Sequence, residues 1–110
     1  MLNCVFRLRK FGNAEALSGF EISGHAGYGK ARSEKDGNDI VCAAVSSCTM
    51  LVCNAVTENF GADADVKVEE NRITLRLNER SEAAEQLISA FCEHLGELSR
   101  EYGKIRLTIN

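Results

Sequence analysis

The stretch DIVCAAVSSCTMLVCNAVT, Asp39 to Thr57, decides the fold of this 110-residue chain. Its apolar side chains recur at spacings of four and three residues, which is the period of a helix. Asn38 or Asp39 can cap the start of this helix, and Gly61 predicts its end. No charged residue occurs from Ile40 to Thr57, so the helix is apolar nearly all round and must be covered on more than one side. One sheet covers a single side, and a second helix or a second subunit has to cover another.

The rest of the chain consists of predicted strands and one further helix. Alternating apolar and polar residues predict strands at 2–9, 17–24, 64–70, 73–78 and 104–110. The polar segment FGNAEA, residues 11–16, is interpreted as a connector. A second helix opens at Ser81 and ends at Gly103, with an apolar stripe made of Ala84, Leu87, Ile88, Phe91, Leu95, Leu98 and Tyr102. The order ββαββαβ predicts a two-layer α+β domain, a mainly antiparallel sheet with two helices on one face.

Length and composition predict one domain over residues 1–110, because 45% hydrophobic residues suffice for one core of this size. The five cysteines are odd in number and follow no secretory signal. We interpret them as reduced thiols and expect the protein to be cytoplasmic.

The charge and the uncharged segment bear on two classes of partner. The formal net charge of −3, from 13 basic and 16 acidic residues, argues against a protein that coats nucleic acid. We therefore expect no direct contact with nucleic acid. The 18 uncharged residues from Ile40 to Thr57 reach the minimum length of a membrane span. This segment contains several serines, threonines and an asparagine, which favours a buried helix and no membrane.

The segment GHAGYGKA, Gly24 to Ala31, nearly matches the phosphate-binding loop G-x-x-x-x-G-K-[ST]. Ala31 stands where a magnesium-binding hydroxyl is required, and seven further residues separate it from the predicted helix. A phosphate loop runs straight into its helix, so nucleotide binding is not expected. The glycines, Gly27 and Gly29 among them, are better explained as freedom for a substrate loop to move or to lie against an extended ligand backbone.

His25 and Cys42 form the candidate catalytic pair. His25 stands at the end of the second strand, and Cys42 stands in the first turn of the predicted helix. A helix start and a nearby histidine favour the thiolate, and the unpaired N–H groups there could hold an oxyanion. His25 would take the proton and deliver it to the leaving amine. A merely structural role for Cys42 remains the alternative, because buried cysteines are commonly core residues.

The other polar candidates have weaker cases. Cys48 and Cys53 point about 140° apart on a helix, so the cysteines cannot hold one metal ion within it, and no cofactor is expected. Asp39 caps the helix or orients His25, and Ser46 lies one turn after Cys42 on the same face. The remaining thiols are expected to be core or half-buried residues: Cys4, Cys48, Cys53 and Cys92. His94 is expected to be a surface residue and is a distant second candidate for the base.

Gly24-His25-Ala26, a glycine-bearing loop and the segment Asp39 to Ser46 (DIVCAAVS) together resemble the signature of the ribosomal-processing cysteine protease family, Prp. The resemblance extends over the whole chain in length and in element order. It implies a catalytic His25 and a nucleophilic Cys42, with Gly24, Asp39 and Ser46 as further signature positions. The interval between His25 and Cys42 is longer than the family pattern, which bears on loop closure and substrate fit.

The resemblance also implies what the protein acts on. Family members are cytoplasmic homodimers that remove a short N-terminal extension from the twenty-seventh large-subunit ribosomal protein in bacteria such as Firmicutes. The cut follows an apolar, phenylalanine-containing sequence, and the loop is flexible without substrate and closes over it. The alternative hypothesis is a non-catalytic module that binds a ribosomal protein or assists ribosome assembly.

Overall fold

The structure, a computed structural model, describes residues 2–24 and 38–110. Its elements, in chain order, are β1 (Leu2–Phe11), β2 (Ala14–Ser23), α1 (Asn38–Asn54), β3 (Ala64–Glu69), β4 (Arg72–Leu77), α2 (Glu82–Tyr102) and β5 (Ile105–Ile109). A π-helical turn, Ala55–Asn59, continues α1. The helical path therefore stops two residues before Gly61, whose φ of +61° suits a glycine at a helix exit. The predicted order ββαββαβ and the α+β class are confirmed.

The five strands form one mixed sheet in the order β3-β4-β2-β1-β5. The pairs β3–β4, β4–β2 and β2–β1 are antiparallel, whereas β5 pairs with β1 in parallel. The chain can place β5 beside β1 because α2 crosses over the sheet between β4 and β5. The sheet is thus mainly antiparallel, with β3 and β5 at its edges.

The β1–β2 hairpin is longer than the sequence predicts. Residues 11–16 were expected to be a connector, but the strands continue through them and pair Lys10 with Glu15 and Phe11 with Ala14. The turn is only Gly12-Asn13, and Gly12 adopts a φ of +64°. Polar residues can extend a hairpin in this way because each pair still satisfies its backbone hydrogen bonds at the sheet surface.

A β-bulge at Ser18 interrupts the same hairpin. Arg7 pairs with Gly19 and Leu8 pairs with Leu17, which leaves Ser18 as the extra residue of β2. A Cβ at position 19 would lie 2.5 Å from the carbonyl oxygen of Leu75. Only glycine fits there, because β4 approaches the bulged strand too closely for a side chain.

The hydrophobic core lies between one face of the sheet and the two helices. Phe6, Phe20 and Phe91 meet at its centre with ring centroids 5.1 to 5.6 Å apart. Val45 and Val56 from the α1 segment and Ile88 and Leu95 from α2 are fully buried against the alternate residues of the strands. The two-layer arrangement follows from this shared core.

Helix α2 follows its sequence signals closely. Ser81 caps the N-terminus by accepting a hydrogen bond from the Ala84 N–H, and Gly103 ends the helix with a φ of +77°. Tyr102, predicted on the apolar stripe, is instead half-exposed. It is the last residue of the helix, where the chain turns towards β5 and the core no longer lies beneath it.

Helix α1 remains partly uncovered although α2 packs beside it. Ile40 and Leu51 are each 68% exposed, and Met50 is also exposed. Ile40–Asn59 has a mean hydropathy of 1.9 and is, within the described ranges, the one helical segment long and apolar enough to cross a membrane. Only a third of it is buried in the protein. The prediction that one sheet cannot cover this helix therefore agrees with its exposed apolar residues.

Candidate active site

Cys42 lies on α1 at the boundary between the core and the surface. The helix begins at Asn38, so Cys42 is its fifth residue and starts the second turn. This position differs from the predicted one, which is in the first turn. Its neighbours Val41 and Val45 are buried and anchor this part of the helix to the core. The side chain of Cys42 packs against the core and is only half-buried. The thiol is therefore not sealed in the interior.

Gly24 marks the point where the chain leaves the sheet next to the predicted histidine. Strand β2 ends at Ser23, and Gly24 follows with a φ of +89°, which L side chains rarely adopt. His25, Gly27 and Gly29 lie outside the described residues. The structure thus describes the helix that carries Cys42 and the end of the strand that precedes His25.

Two predicted supporting residues are also on α1. Asp39 lies in the first turn of the helix, and its side chain lies outside the described part of the chain. Ser46 is one turn after Cys42, as predicted, and its hydroxyl oxygen is buried. Among the described residues this oxygen has no hydrogen-bond partner.

The hydroxyl of Ser46 differs from the two threonine hydroxyls of this helical segment. Thr49 donates to the Val45 carbonyl at 2.6 Å, and Thr57 donates to the Cys53 carbonyl at 2.9 Å. Both hydroxyls thus donate a hydrogen bond to a backbone carbonyl on the preceding turn of their own helix. Burying a hydroxyl without such a bond costs on the order of 1–3 kcal/mol. A buried hydroxyl in this state, one helical turn from Cys42, therefore calls for a partner, and a group bound at the site is one candidate.

Burial separates the five thiols into two groups. Burial, and secondarily the nearby Cys92, raises the pKa of Cys4 to about 12. Burial raises the pKa of Cys53 to about 11, and burial followed by the charge of Glu93 raises the pKa of Cys92. These three thiols stay protonated at neutral pH and are unsuited to nucleophilic attack. Cys42 and Cys48 are the half-buried ones, and Cys42 is the nearer to the helix start.

The remaining candidates do not form a second site. His94 lies half-exposed on α2, with its Nδ1 3.8 Å from a carboxylate oxygen of Glu97. This agrees with the prediction of a surface histidine. Over residues 2–24 and 38–110, no group of three or more histidine, cysteine or carboxylate side chains is placed to hold a metal ion.

The chain matches the profile of one protein family and is similar in fold to several solved structures. The profile of the family described as cysteine protease Prp matches residues 1–106. SMU.848 from Streptococcus mutans is similar at a TM-score of 0.79 and 25% identity, covering 99% of this chain and 96% of that one. No curated protein sequence matches the chain significantly.

Two structures of the ribosomal processing protease Prp from S. aureus share the fold over the whole of both chains. One, with a covalently linked product peptide, has a TM-score of 0.79 at 19% identity. The other, with a substrate peptide, has a TM-score of 0.82 at 18% identity.

Proposed function

The chain belongs to the cysteine protease Prp family, and from this premise we propose that it removes the N-terminal extension of a large-subunit ribosomal protein, the twenty-seventh, with a Cys42–His25 dyad. The S. aureus proteins of the same fold are ribosomal processing proteases that bind peptides. The observation that carries the proposal is the position of Cys42, a half-buried thiol near the start of α1. His25 directly follows the glycine at which β2 leaves the sheet.

In the proposed reaction, the Cys42 thiolate attacks the scissile carbonyl carbon and forms a C–S bond. The carbonyl oxygen takes the negative charge, and His25 as imidazolium protonates the leaving amine when the C–N bond breaks. An acyl-thioester remains on Cys42. His25 then removes a proton from water, the hydroxide attacks the thioester, and the thiolate is released. No metal or cofactor enters this sequence of steps.

The start of α1 offers stabilisation for the negative oxygen. The first four N–H groups of a helix have no acceptor within the helix, and here they belong to the turn directly before Cys42. They lie at the positive end of the helix dipole, which favours both the thiolate and the oxyanion. This turn includes Asp39, whose proposed role is to orient His25 or to hold the loop.

Ser46 supports the site from the following turn. Its buried hydroxyl has no acceptor among the described residues, so it is available to donate to a group that faces Cys42. We assign it a positioning role rather than a chemical one, because it lies one helical turn beyond the sulfur. Gly24 supplies the backbone freedom with which the chain leaves β2, and the proposed substrate loop contains Gly27 and Gly29.

The proposal includes a homodimer in the cytoplasm. Ile40, Met50 and Leu51 expose apolar side chains on a helix that carries no charge from Ile40 to Thr57. Phe60, Val66 and Val68, on the segments that follow α1, expose further apolar area. A second copy of the chain covers such a surface, whereas a lone monomer would leave it in water. The five thiols suit a reducing compartment.

The decisive experiment compares two alanine variants on the same helix. Cys42→Ala should lower cleavage of the ribosomal protein with its extension by roughly 10⁴-fold or more. Cys48→Ala, also half-buried, should cleave at close to the wild-type rate. Mass spectrometry of the cleaved protein measures both, and thermal unfolding confirms that both variants fold. Cleavage by Cys42→Ala at the wild-type rate would refute the dyad, and binding without cleavage by the wild type would favour a non-catalytic module.

A further inference from the structure

The face of the sheet opposite the helices is rich in arginine. The side chains on this face alternate with the core residues of each strand, as the strand registers require. Its basic side chains are Arg7, Arg9, Lys67, Arg72, Arg76 and Arg106, and its acidic ones are Glu21, Asp65 and Glu69. An excess of positive charge thus lies on one surface of a chain whose net charge is −3.

The acidic residues are on the β3–β4–β2 side of this face, with Asp65 and Glu69 on β3 and Glu21 on β2. Arg72 is 2.8 Å from Glu69 and 3.8 Å from Glu21, and Arg76 is 3.5 Å from Asp65. Lys67 also pairs with Glu69, at 3.5 Å. Charges on this side therefore largely cancel.

The β1–β5 side has three arginines and no acid. Arg7, Arg9 and Arg106 are exposed, and no described carboxylate forms an ion pair with any of them. Arg9 is held in place, because its Nη1 donates to the Leu77 carbonyl at 3.2 Å. Its guanidinium carbon also lies 5.4 Å from the ring centre of Phe11. An arginine fixed on neutral partners keeps its full positive charge for an outside ligand.

The β-bulge gives these arginines a depression to surround. Gly19 pairs with Arg7 on β1 and with Arg76 on β4, so no side chain separates these two arginines. The neighbouring depression is lined by Arg9, Ser18, Arg76, Leu77 and Asn78. Guanidinium groups from two sides thus face one shallow polar trough, an arrangement suited to phosphate oxygens.

The arginines also extend along β1. Arg106 pairs with Asn3, six residues before Arg9, so the row is roughly 20 Å long at 3.3 Å per residue. None of the exposed large apolar side chains among the described residues lies on this face. Protein partners are usually held by buried apolar or aromatic anchors, which this surface does not offer. A row of charge without such anchors fits a polyanion of high linear charge density.

We propose that the arginine face, defined as Arg7, Arg9 and Arg106, binds the phosphate backbone of RNA. The choice of RNA rests on the proposed function, because a ribosomal protein assembles with ribosomal RNA. Cys42 lies in the helical layer on the other side of the sheet, so RNA and substrate can bind at the same time. The whole-chain charge disfavours nucleic acid as a partner, but the fold leaves three arginines, unpaired among the described residues, side by side on one surface.

Fluorescence anisotropy with a labelled single-stranded RNA of about 20 nucleotides tests the proposal. Three phosphate contacts predict that log K falls with log salt at a slope of about −2.1 between roughly 25 and 200 mM salt. Arg7→Gln with Arg106→Gln should reduce the slope by about 1.4 and weaken binding severalfold. Arg100→Gln, an exposed arginine on α2, is the matched control and should leave the slope unchanged.

Three results would overturn the proposal: no binding by the wild type at the lowest salt, an equal loss in Arg100→Gln, or equal competition by polyglutamate of the same total charge. The last result would assign the face to acidic peptides instead. Cleavage of an isolated substrate peptide separates this proposal from the protease assignment. The Arg7→Gln/Arg106→Gln protein should cleave that peptide at the wild-type rate, and a wild type that binds RNA but cleaves nothing would refute the proposed protease function alone.

Discussion

The two helices pack on the same sheet, yet they are specified in different ways. Helix α2 has a serine cap at Ser81, a terminal Gly103 and a buried Glu85 bonded to Arg80 and to the Ser81 N–H. Helix α1 carries no charged residue from Ile40 to its end at Asn54. It also exposes Ile40 and Leu51. Capping and charge placement explain why α2 forms a helix, whereas the apolar sequence of α1 has to be explained by its packing contacts.

This difference separates structural from functional demands on the chain. A sequence in which caps, charges and apolar stripe agree specifies its helix without help. A helix such as α1, which breaks these rules with exposed apolar residues and an unsatisfied hydroxyl, is typical of a surface that another molecule meets. Substitutions in α2 should therefore change folding, and exposed substitutions in α1 should change assembly and activity.

The largest expected effect on stability is in the core contributed by α2. Phe91→Ala removes the ring that contacts both Phe6 and Phe20 and should lower the free energy of unfolding by about 3–5 kcal/mol. Met50→Ala on α1, where the side chain is 38% exposed, should lower it by less than about 1 kcal/mol. Urea unfolding measures both values. Equal losses of unfolding free energy in the two variants would contradict the proposed difference between α1 and α2.

The next effect concerns the exposed face of α1. Leu51→Glu should weaken the proposed dimer by about 100-fold or more, because the interface would have to bury a carboxylate on each copy. Light scattering over a dilution series should show mostly monomers of the variant at concentrations where the wild type is dimeric. Glu97→Gln, an exposed change on α2, is the control and should leave the mass unchanged. A wild type that is monomeric throughout would refute the dimer.

A smaller effect is expected at the start of α2. Arg80→Ala leaves the buried Glu85 carboxylate without its bidentate partner and should lower the free energy of unfolding at pH 7. The loss should be smaller than for a fully buried pair because Arg80 is 43% exposed. Arg80 lowers the pKa of Glu85 below its usual 4.5, chiefly by hydrogen bonding. The stabilisation is therefore present above pH 4.5 and lost as the pH falls through the lowered pKa. Unfolding at pH 7 and at pH 3 should show that the variant and the wild type converge in acid.

The smallest effect in free energy is at Ser46 on α1. Ser46→Ala should raise the free energy of unfolding by up to about 1 kcal/mol, because it removes a buried hydroxyl that has no described partner. The same variant should lower kcat/KM about 10-fold, and Ser46→Thr should restore part of it if the hydroxyl positions the site. Thr49→Val is the matched change at a satisfied hydroxyl and should spare activity. An unstable Ser46→Ala protein would indicate a structural hydroxyl instead.

Periodicity alone predicts most of the fold. The strand and helix periods give the class and order, and Ser81 and Gly103 give the bounds of α2. Periodicity does not give the parallel pairing of β5 with β1, because strand order depends on contacts far apart in the chain. It also misses the hairpin extension at Lys10 and Glu15, whose backbone pairing is independent of the polar side chains.

The candidate site is predictable in outline and not in detail. The motif places Cys42 and Ser46 on one helix, and the structure agrees. The half-burial of Cys42 and the unsatisfied Ser46 oxygen depend on rotamers and neighbours that a sequence does not state. Likewise, alternation predicts which strand face an arginine takes. Whether an acidic residue lies beside that arginine depends on strand order. For this reason Arg72 forms an ion pair and Arg7 forms none with a described carboxylate.

Because Cys4, Cys53 and Cys92 are buried, the reactivity of their thiols reports whether the protein is folded. An alkylating reagent added to the native protein reaches Cys42 and Cys48, whereas all five sulfurs react once the chain is unfolded. The number of adducts on an intact mass should therefore report the folded fraction of a preparation. The same spectrum would record whether Cys42 has been modified.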